Sequence, residues 1–556
     1  MSIPHPPRRR SAGLAAAAAA VLVAVIALAG GVLTAGPAAA QTTGTGSGYL
    51  STSGNRIVDA TGAEVRLTGI NWFGMETGNH TFHGLWASAP ATWQGQIERM
   101  AELGFNTIRI PYVGESLEPG AQASGINDFT NPDLVGLHPL EILDRVIDHA
   151  GSLGMRVILD RHGTVPDGIP PLWHNDQVSE QDIIDDWIML AQRYAGNTTV
   201  VGADLFNEPH AEGTLPDATG ACWGCGDPDR DWRLAAQRIG NAVQAVQPNW
   251  LIIVEGVSCL SGGLPNPWTN PPIDDHCSWW GGNLAGAADY PVQLNVANKL
   301  VYSAHDYATS VFEQDWFNEP DFPNNLEPDV WDPNWGFLHK QNVAPVLIGE
   351  FGTTLADPRD AQWLQTLLSY LSGNGMSFTY WSWNPNSGDT GGIVQNDWWT
   401  VEQAKYDILE PHLFPPDGPG PSSPPSSPSS PPSTPPSSPP SSPPSSPPSS
   451  SPPPSSGGCE VTYTLTGGWP GNFQADVEIE NTGSSTISGW TVGWTYSGDE
   501  SIYNQWGATV TQSGATVTAT DVGYNATIPP GGSVIFGIQG TLSGTATPPT
   551  PISCTT

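Results

Sequence analysis

Basic residues are scarce in this chain: 18 Lys and Arg stand against 54 Asp and Glu, a formal charge of −36 over 556 residues. A surface so acidic repels phosphate backbones and anionic lipid, which excludes nucleic acid as a partner and favours a neutral substrate. Glycine-rich phosphate loops are also missing, since neither GxGxxG nor a P-loop follows any strand-like run. Long apolar runs are limited to one, from Ala12 to Leu33, behind Arg8-Arg9-Arg10 and ahead of Ala38-Ala39-Ala40. That order predicts a cleaved export signal over residues 1–40 and a secreted protein with no membrane segment afterwards. The run is also long enough for an uncleaved anchor, the competing reading. Removing the three arginines takes the charge from −36 to about −39.

Cysteine is sparse too. Six cysteines in an exported chain predict three disulfides, and position selects among the fifteen pairings. Cys459 and Cys554 bracket the last hundred residues, Cys222 and Cys225 sit in CWGC, and Cys259 and Cys277 flank a Pro-rich loop. CWGC has no second ligand pair and no thioredoxin-like context, so it reads as a loop clip. No metal or cofactor is expected. Tryptophan, by contrast, is abundant at 23 residues. Indole offers the largest face for stacking against sugar C–H groups, although it is also good core filler.

Residues 415–458 are almost only Pro and Ser, as in SSPPSSPPSSPP. With nothing apolar to bury, the segment cannot offset the entropy of folding. Proline keeps it extended, a spacer on the order of 100 Å whose hydroxyls are candidate O-glycosylation sites. It divides the chain into a first part at 44–414 and a last at 459–556.

In the first part eight apolar runs alternate with amphipathic stretches. The runs are EVRLTGINWFG, TIRIPY, RVILDRH, VVGADLFNEP, LIIVEG, LVYSAHDY, PVLIGEFG and MSFTYWSW. Helical periodicity lies between many of them, as in TWQGQIERMAELGF and PLEILDRVIDHAGSLGM. Eight buried strands with intervening helices predict an α/β fold closed as a (β/α)8 barrel, with an open doubly wound sheet as the alternative. In such a barrel the site lies at the strands' C-terminal ends. Those ends carry Arg109, His162, Asn207 with Glu208, His305 with Tyr307, Glu350 and Trp381.

Glu208 is read at the tip of the fourth strand, which Pro209 ends, and Glu350 at the tip of the seventh. Two carboxyls facing each other across a barrel mouth suit glycosidic hydrolysis, in which one protonates the leaving oxygen and the other attacks or activates water. Arg109 and Tyr307 are placed to hold Glu350 anionic, and that charge raises the pKa of Glu208. Asn207 is suited to a sugar 2-hydroxyl. Asp160, Asp204 and Glu255 lie within strands and read as structural hydrogen-bond partners.

These residues stand in IRIPY, LDRH, FNEPH, SAHDY, GEFGTT and WSWNPNSGDTGG, in that order. The segment resembles family 5 glycoside hydrolases, and among them the bacterial endo-β-1,4-glucanases. The resemblance implies a retaining double displacement with Glu208 as acid/base and Glu350 as nucleophile. It also implies site positions for Arg109, His162, Asn207, His305, Tyr307 and Trp381, and sugar platforms at Trp86 of HGLW and Trp280 of WWGGN. Relatives carry a cysteine after His162; here that segment is Gly-rich and Gly78 stands where its partner would be, so one disulfide is jointly absent.

The last part alternates polar and apolar residues in DVEIENT, WTVGWTY, ATVTQSG and SVIFGIQGTL, which predicts an antiparallel β-sandwich. Trp490, Val492 and Trp494 share one face and belong to its core. Trp469, Trp506 and Tyr524 lie beside turn residues instead, as a platform for pyranose rings. This part resembles family 2 carbohydrate-binding modules, which implies cellulose binding through those three rings and a disulfide between the ends. Tyr524 replaces the commoner tryptophan, which implies weaker binding. The expected whole is a monomeric, secreted endoglucanase acting on cellulose or a related β-glucan. A hydrolase of mannan, xyloglucan or mixed-linkage glucan is the near alternative, and a non-catalytic cellulose-binding protein the distant one.

Overall fold

The computed structural model describes residues 44–416, 458–467, 472–506, 508–522, 525–543 and 547–555. The expected export signal, most of the Pro/Ser segment, Trp469, Tyr524 and the side chain of Trp506 lie outside the described residues. Two compact units result.

The first unit begins with a short hairpin, β1 (Ser51–Ser53) paired with β2 (Arg56–Val58). Leu50 and Ile57 from this hairpin cluster with Ile158, Val201, Leu251, Ile253, Val301 and Leu347, so it packs against the apolar filling of the sheet that follows. Eight parallel strands then close on themselves. They are β3 (Thr68–Asn71), β4 (Thr107–Tyr112), β5 (Arg156–Arg161), β6 (Val200–Asp204), β7 (Leu251–Glu255), β8 (Leu300–His305), β9 (Val346–Glu350) and β10 (Ser377–Tyr380). Neighbours follow chain order, and β10 pairs with β3 to complete the barrel. Nearly every strand residue is buried, as expected for a sheet covered on both faces.

The covering helices are α1 (Trp93–Glu102), α2 (Pro139–Ser152), α3 (Glu180–Arg193), α4 (Trp232–Val246), α5 (Phe337–Lys340), α6 (Pro358–Asn374) and α7 (Gln403–Leu409). Their starts are written locally. Thr92, Ser179 and Asp357 accept hydrogen bonds from the first-turn N–H groups of α1, α3 and α6, and Pro139 and Pro358 open α2 and α6. Helix α6 stops at Gly375, whose φ of 66° only glycine adopts cheaply. Their apolar faces join the strands in one core that holds Trp72, Trp187, Trp232, Trp363 and Trp383. Tryptophan thus fills the core heavily as well as lining the surface.

The second unit is an antiparallel sandwich. Its strands are β11 (Glu460–Gly467), β12 (Asn472–Glu480), β13 (Ile487–Ser488), β14 (Thr491–Thr495), β15 (Ser501–Trp506), β16 (Thr509–Ser513), β17 (Thr516–Thr520), β18 (Thr527–Ile528), β19 (Ser533–Thr541) and β20 (Ser553–Thr555). One sheet runs β11-β12-β19-β15 and the other β16-β17-β14-β20. Trp490, Val492 and Trp494 are buried between them with Phe536 and Tyr463. Disulfides join Cys222 to Cys225, Cys259 to Cys277 and Cys459 to Cys554, the last linking the two ends of the sandwich.

Candidate active site

Arg109, in the middle of β4, organises the barrel mouth. Its Nε donates to Asp204 Oδ2 (2.9 Å), and Nη1 donates to Asn71 Oδ1 (3.0 Å) and Glu350 Oε1 (2.6 Å). Nη2 donates to Asn207 Oδ1 and Glu255 Oε1 (both 3.0 Å) and lies 3.2 Å from Asp160 Oδ2. One fully buried guanidinium therefore meets four carboxyls. Burial pushes Asp204 well above the carboxylate range, against the lowering by Arg109, and the charges of Glu255 and Asp160 add to the rise. Asp160, Asp204 and Glu255 each give one oxygen to Arg109, while Asp160 Oδ1 and Asp204 Oδ1 have no hydrogen-bond partner among the described residues.

Glu350 closes β9. Besides Arg109 it receives the Tyr307 hydroxyl at 2.6 Å, and His305 Nδ1 lies 3.7 Å away. Burial alone would raise its pKa. The charges of His305, Arg109 and His162 and the Tyr307 hydrogen bond outweigh burial and lower it, so Glu350 is anionic.

Glu208 departs from the strand-tip reading. Strand β6 ends at Asp204, and the chain continues outward for four residues to Glu208, which adopts a left-handed φ of 50°. That conformation is strained for a residue with a Cβ and marks a site over-determined by its surroundings. The Glu208 N–H donates to Glu255 Oε2 (2.7 Å), and Glu208 Oε1 lies 2.8 Å from His305 Nδ1. Burial raises Glu208 to about 7; Glu350 and Glu255 push the same way, against the His305 hydrogen bond. One oxygen of Glu208 and one of Glu350 lie within 4.8 Å of each other. Two carboxyls whose pKa values are pushed in opposite directions thus share a small space.

The structure gathers the remaining predicted residues around this pair with one exception. Asn207 gives its carbonyl oxygen to Arg109, while its buried Nδ2 has no hydrogen-bond partner among the described residues. His162 Nδ1 lies 2.7 Å from Asp160 Oδ2; burial would lower its pKa, but Asp160 raises it to about 9. Its ring stacks on Trp381 (5.5 Å, 9°), which stacks in turn on Phe73 (5.3 Å, 10°). Trp280 is 47 % exposed and lies flat on His210 (3.7 Å, 3°), whose Nδ1 meets the Glu208 carbonyl at 2.8 Å. Trp86 is the exception. It packs with Trp398 and His83 on the loop after β3, on the far side of the barrel from the Trp280 loop.

Sequence reading missed His210 and Glu76. His210 stands in the quoted NEPH, and its signal was adjacency to Glu208. Glu76 lies in the loop after β3, accepts from Gly74 N–H (2.7 Å), and is raised to about 7 by burial. Gly78 and the segment after His162 do meet, through a hydrogen bond from Gly78 N–H to Asp167 Oδ2 (3.2 Å).

Comparison with known proteins places this geometry. Residues 58–387 match the model for cellulase, glycosyl hydrolase family 5, and residues 459–556 match the cellulose binding domain model. An endoglucanase of Paenibacillus polymyxa is 47 % identical over 65 % of this chain and 86 % of its own length. The major extracellular endoglucanase of Xanthomonas campestris is 39 % identical over 88 % of this chain and 94 % of its own. Among solved structures, the endocellulase of Pyrococcus horikoshii is 42 % identical, covering 67 % of this chain and 100 % of its own, with a TM-score of 0.60. The chain belongs to the cellulase family, glycosyl hydrolase family 5, and carries a cellulose binding domain at its C-terminal end.

Proposed function

We propose that this protein is a secreted endo-β-1,4-glucanase that cleaves internal bonds of cellulose with retention of configuration. The observation that carries the reading is the Glu208–Glu350 pair, one carboxyl protonated near neutrality and the other held anionic, with oxygens within 4.8 Å. Carboxyls about 5–5.5 Å apart suit direct attack by one of them, whereas about 6.5–9.5 Å leaves room for water. Related proteins of the same family are endoglucanases, and the Pyrococcus horikoshii endocellulase forms complexes with cellotetraose.

In the first step a Glu350 oxygen attacks the anomeric carbon as the glycosidic C–O bond breaks. The Glu208 proton passes to the departing oxygen. In the second step Glu208, now a carboxylate, takes a proton from water, whose oxygen attacks the anomeric carbon and frees Glu350. Esterifying Glu350 removes one of the charges that raise Glu208, so the same residue is a weaker acid and an adequate base at that stage. Tyr307 and Arg109 hold Glu350 in line, and cationic His305 bridges the two carboxyls. The free Nδ2 of Asn207 donates to the 2-hydroxyl, a contact that strengthens in the transition state. Trp280 gives its exposed face to a pyranose ring, Trp86 does the same across the cleft, and Trp381, flanked by His162 and Phe73, borders the sugar site with the part of its ring they leave open.

The organisation we assign is an export signal at 1–40, the catalytic barrel at 44–414, a linker at 415–458 and a cellulose-binding module at 459–556, working as a monomer outside the cell. The linker lets the module hold an insoluble surface while the barrel searches nearby chains at raised effective concentration. Ending the chain near Pro421 is expected to lower activity on crystalline cellulose severalfold and leave soluble glucan unaffected. Trp506→Ala in the full chain reproduces much of that loss, because stacking area rather than charge makes the contact. Release of reducing sugar from both substrates is the measurement. Equal rates of the truncated and full chains on crystalline cellulose contradict the targeting role. Parallel product analysis on cellulose, mannan and mixed-linkage glucan tests the substrate, with cellulose and its oligosaccharides expected as preferred.

A further inference from the structure

In a closed barrel of eight strands, the loop after β3 lies opposite the loop after β7. Trp86 is on the first and Trp280 on the second, so a polymer reaching from one to the other passes over the strand ends that carry Glu350 and, just beyond β6, Glu208. Two further rings stand on this same face. Phe129, in the loop after β4, is 93 % exposed, and Trp268, in the loop after β7, is 92 % exposed.

A single exposed ring is commonplace. What distinguishes these two is how each is held. Asn127 Oδ1 accepts from the N–H groups of Phe129 (3.0 Å) and Thr130 (3.2 Å), while its Nδ2 donates to the Trp86 carbonyl (3.3 Å). Asn266 Oδ1 accepts from Trp268 N–H (3.1 Å), and its Nδ2 donates to the Leu215 carbonyl (2.8 Å). Asn266 and Ile273 exchange backbone hydrogen bonds (2.7 and 2.9 Å) that close the hairpin tip. The hairpin base is clipped by Cys259–Cys277, only three residues before Trp280. Its side is joined to the loop after β6 through Leu264 N–H to Gly213 O (2.9 Å) and Leu215 N–H to Leu264 O (3.0 Å). Each exposed ring is thereby tied to one of the two rim tryptophans, on opposite sides of the mouth.

We propose that Phe129 and Trp268 are outlying contacts for a β-glucan chain, extending the cleft beyond Trp86 and Trp280 and engaging long polymers but not short oligosaccharides. The proposal rests on the glucanase reading above. A neutral, ring-rich ligand is the occupant that fits, since an acidic surface excludes anionic polymers and a flat apolar ring selects a sugar's C–H face.

The test uses full-length Phe129→Ala, Trp268→Ala and the double variant, with Phe129→Tyr and Trp268→Tyr as conservative partners. Kinetics are measured on a neutral soluble cellulose ether of high chain length and on an aryl cellobioside. Each alanine is expected to raise KM on the polymer roughly two- to tenfold, the scale of one stacking contact, with kcat unchanged. Both parameters on the aryl cellobioside stay at the wild-type value, and the tyrosines restore most of the loss. An unchanged polymer KM in the double variant overturns the proposal. So does an equal loss on short and long substrates, which identifies the loops as props of the catalytic cleft. Wild-type activity on the aryl cellobioside measures the glucanase reading separately.

Discussion

Replacing Glu350 with glutamine is expected to lower kcat on soluble β-1,4-glucan by roughly 10⁴–10⁶-fold, the scale of removing a nucleophile. The amide keeps the side chain's volume, its oxygen accepts from Arg109 while its NH2 turns toward the Tyr307 oxygen, and it does not form the glycosyl ester. The fold is expected to survive, because one charge fewer is buried and Arg109 retains Asp160, Asp204 and Glu255. Circular dichroism and thermal unfolding check this alongside the rate. An intact Glu350→Gln protein with more than about one per cent of wild-type activity removes Glu350 from the chemistry.

Glu208→Gln carries the second large effect, a loss of roughly 10²–10⁴-fold on glucan, where the leaving oxygen needs a proton. An aryl glycoside whose phenol departs unprotonated is expected to show a fast burst followed by slow turnover. Glycosyl-enzyme then accumulates, because no carboxylate activates water. Azide, a nucleophile that needs no base, is expected to restore turnover. The pH profile supplies the sign. Glu208 must be protonated in the free enzyme, and burial raises it to about 7, so wild-type kcat/KM falls as pH rises through about 7. Glu350 must be ionised, so kcat/KM also falls at acid pH as its lowered pKa is crossed. In Glu208→Gln the alkaline limb vanishes for burst formation on the aryl substrate. Persistence of that limb assigns it to another group, and Glu76 and Asp306 are also raised to about 7 by burial.

The site residues carried by strands were legible because the barrel's geometry converts strand order into position, although Arg109 lies in the middle of β4 rather than at its end. Once eight apolar runs are read as parallel strands, Arg109, His305 and Glu350 must converge at one mouth. What period and composition do not reveal is how a non-strand segment bends. Nothing in LFNEP announces that β6 stops at Asp204 or that Glu208 takes a positive φ, because that conformation is imposed by the Glu255 oxygen on its N–H and by His305 on its carboxyl. The convergence of Asp160, Asp204 and Glu255 on one guanidinium was equally hidden. Each reads as an ordinary strand carboxylate until the closed sheet superimposes them. His210 and Glu76 act through loops, whose paths depend on tertiary contacts rather than local pattern.

If Glu350 attacks the sugar directly while Glu208 manages the proton, the configuration of the first product reads it without mutation. Proton NMR of a soluble cello-oligosaccharide during the first minutes of hydrolysis, before the anomers equilibrate, resolves the new reducing ends. The β-anomer is expected first, with the α-anomer growing in only as mutarotation proceeds. Initial release of the α-anomer would contradict direct attack, since that outcome requires a water between the two carboxyls and a single displacement.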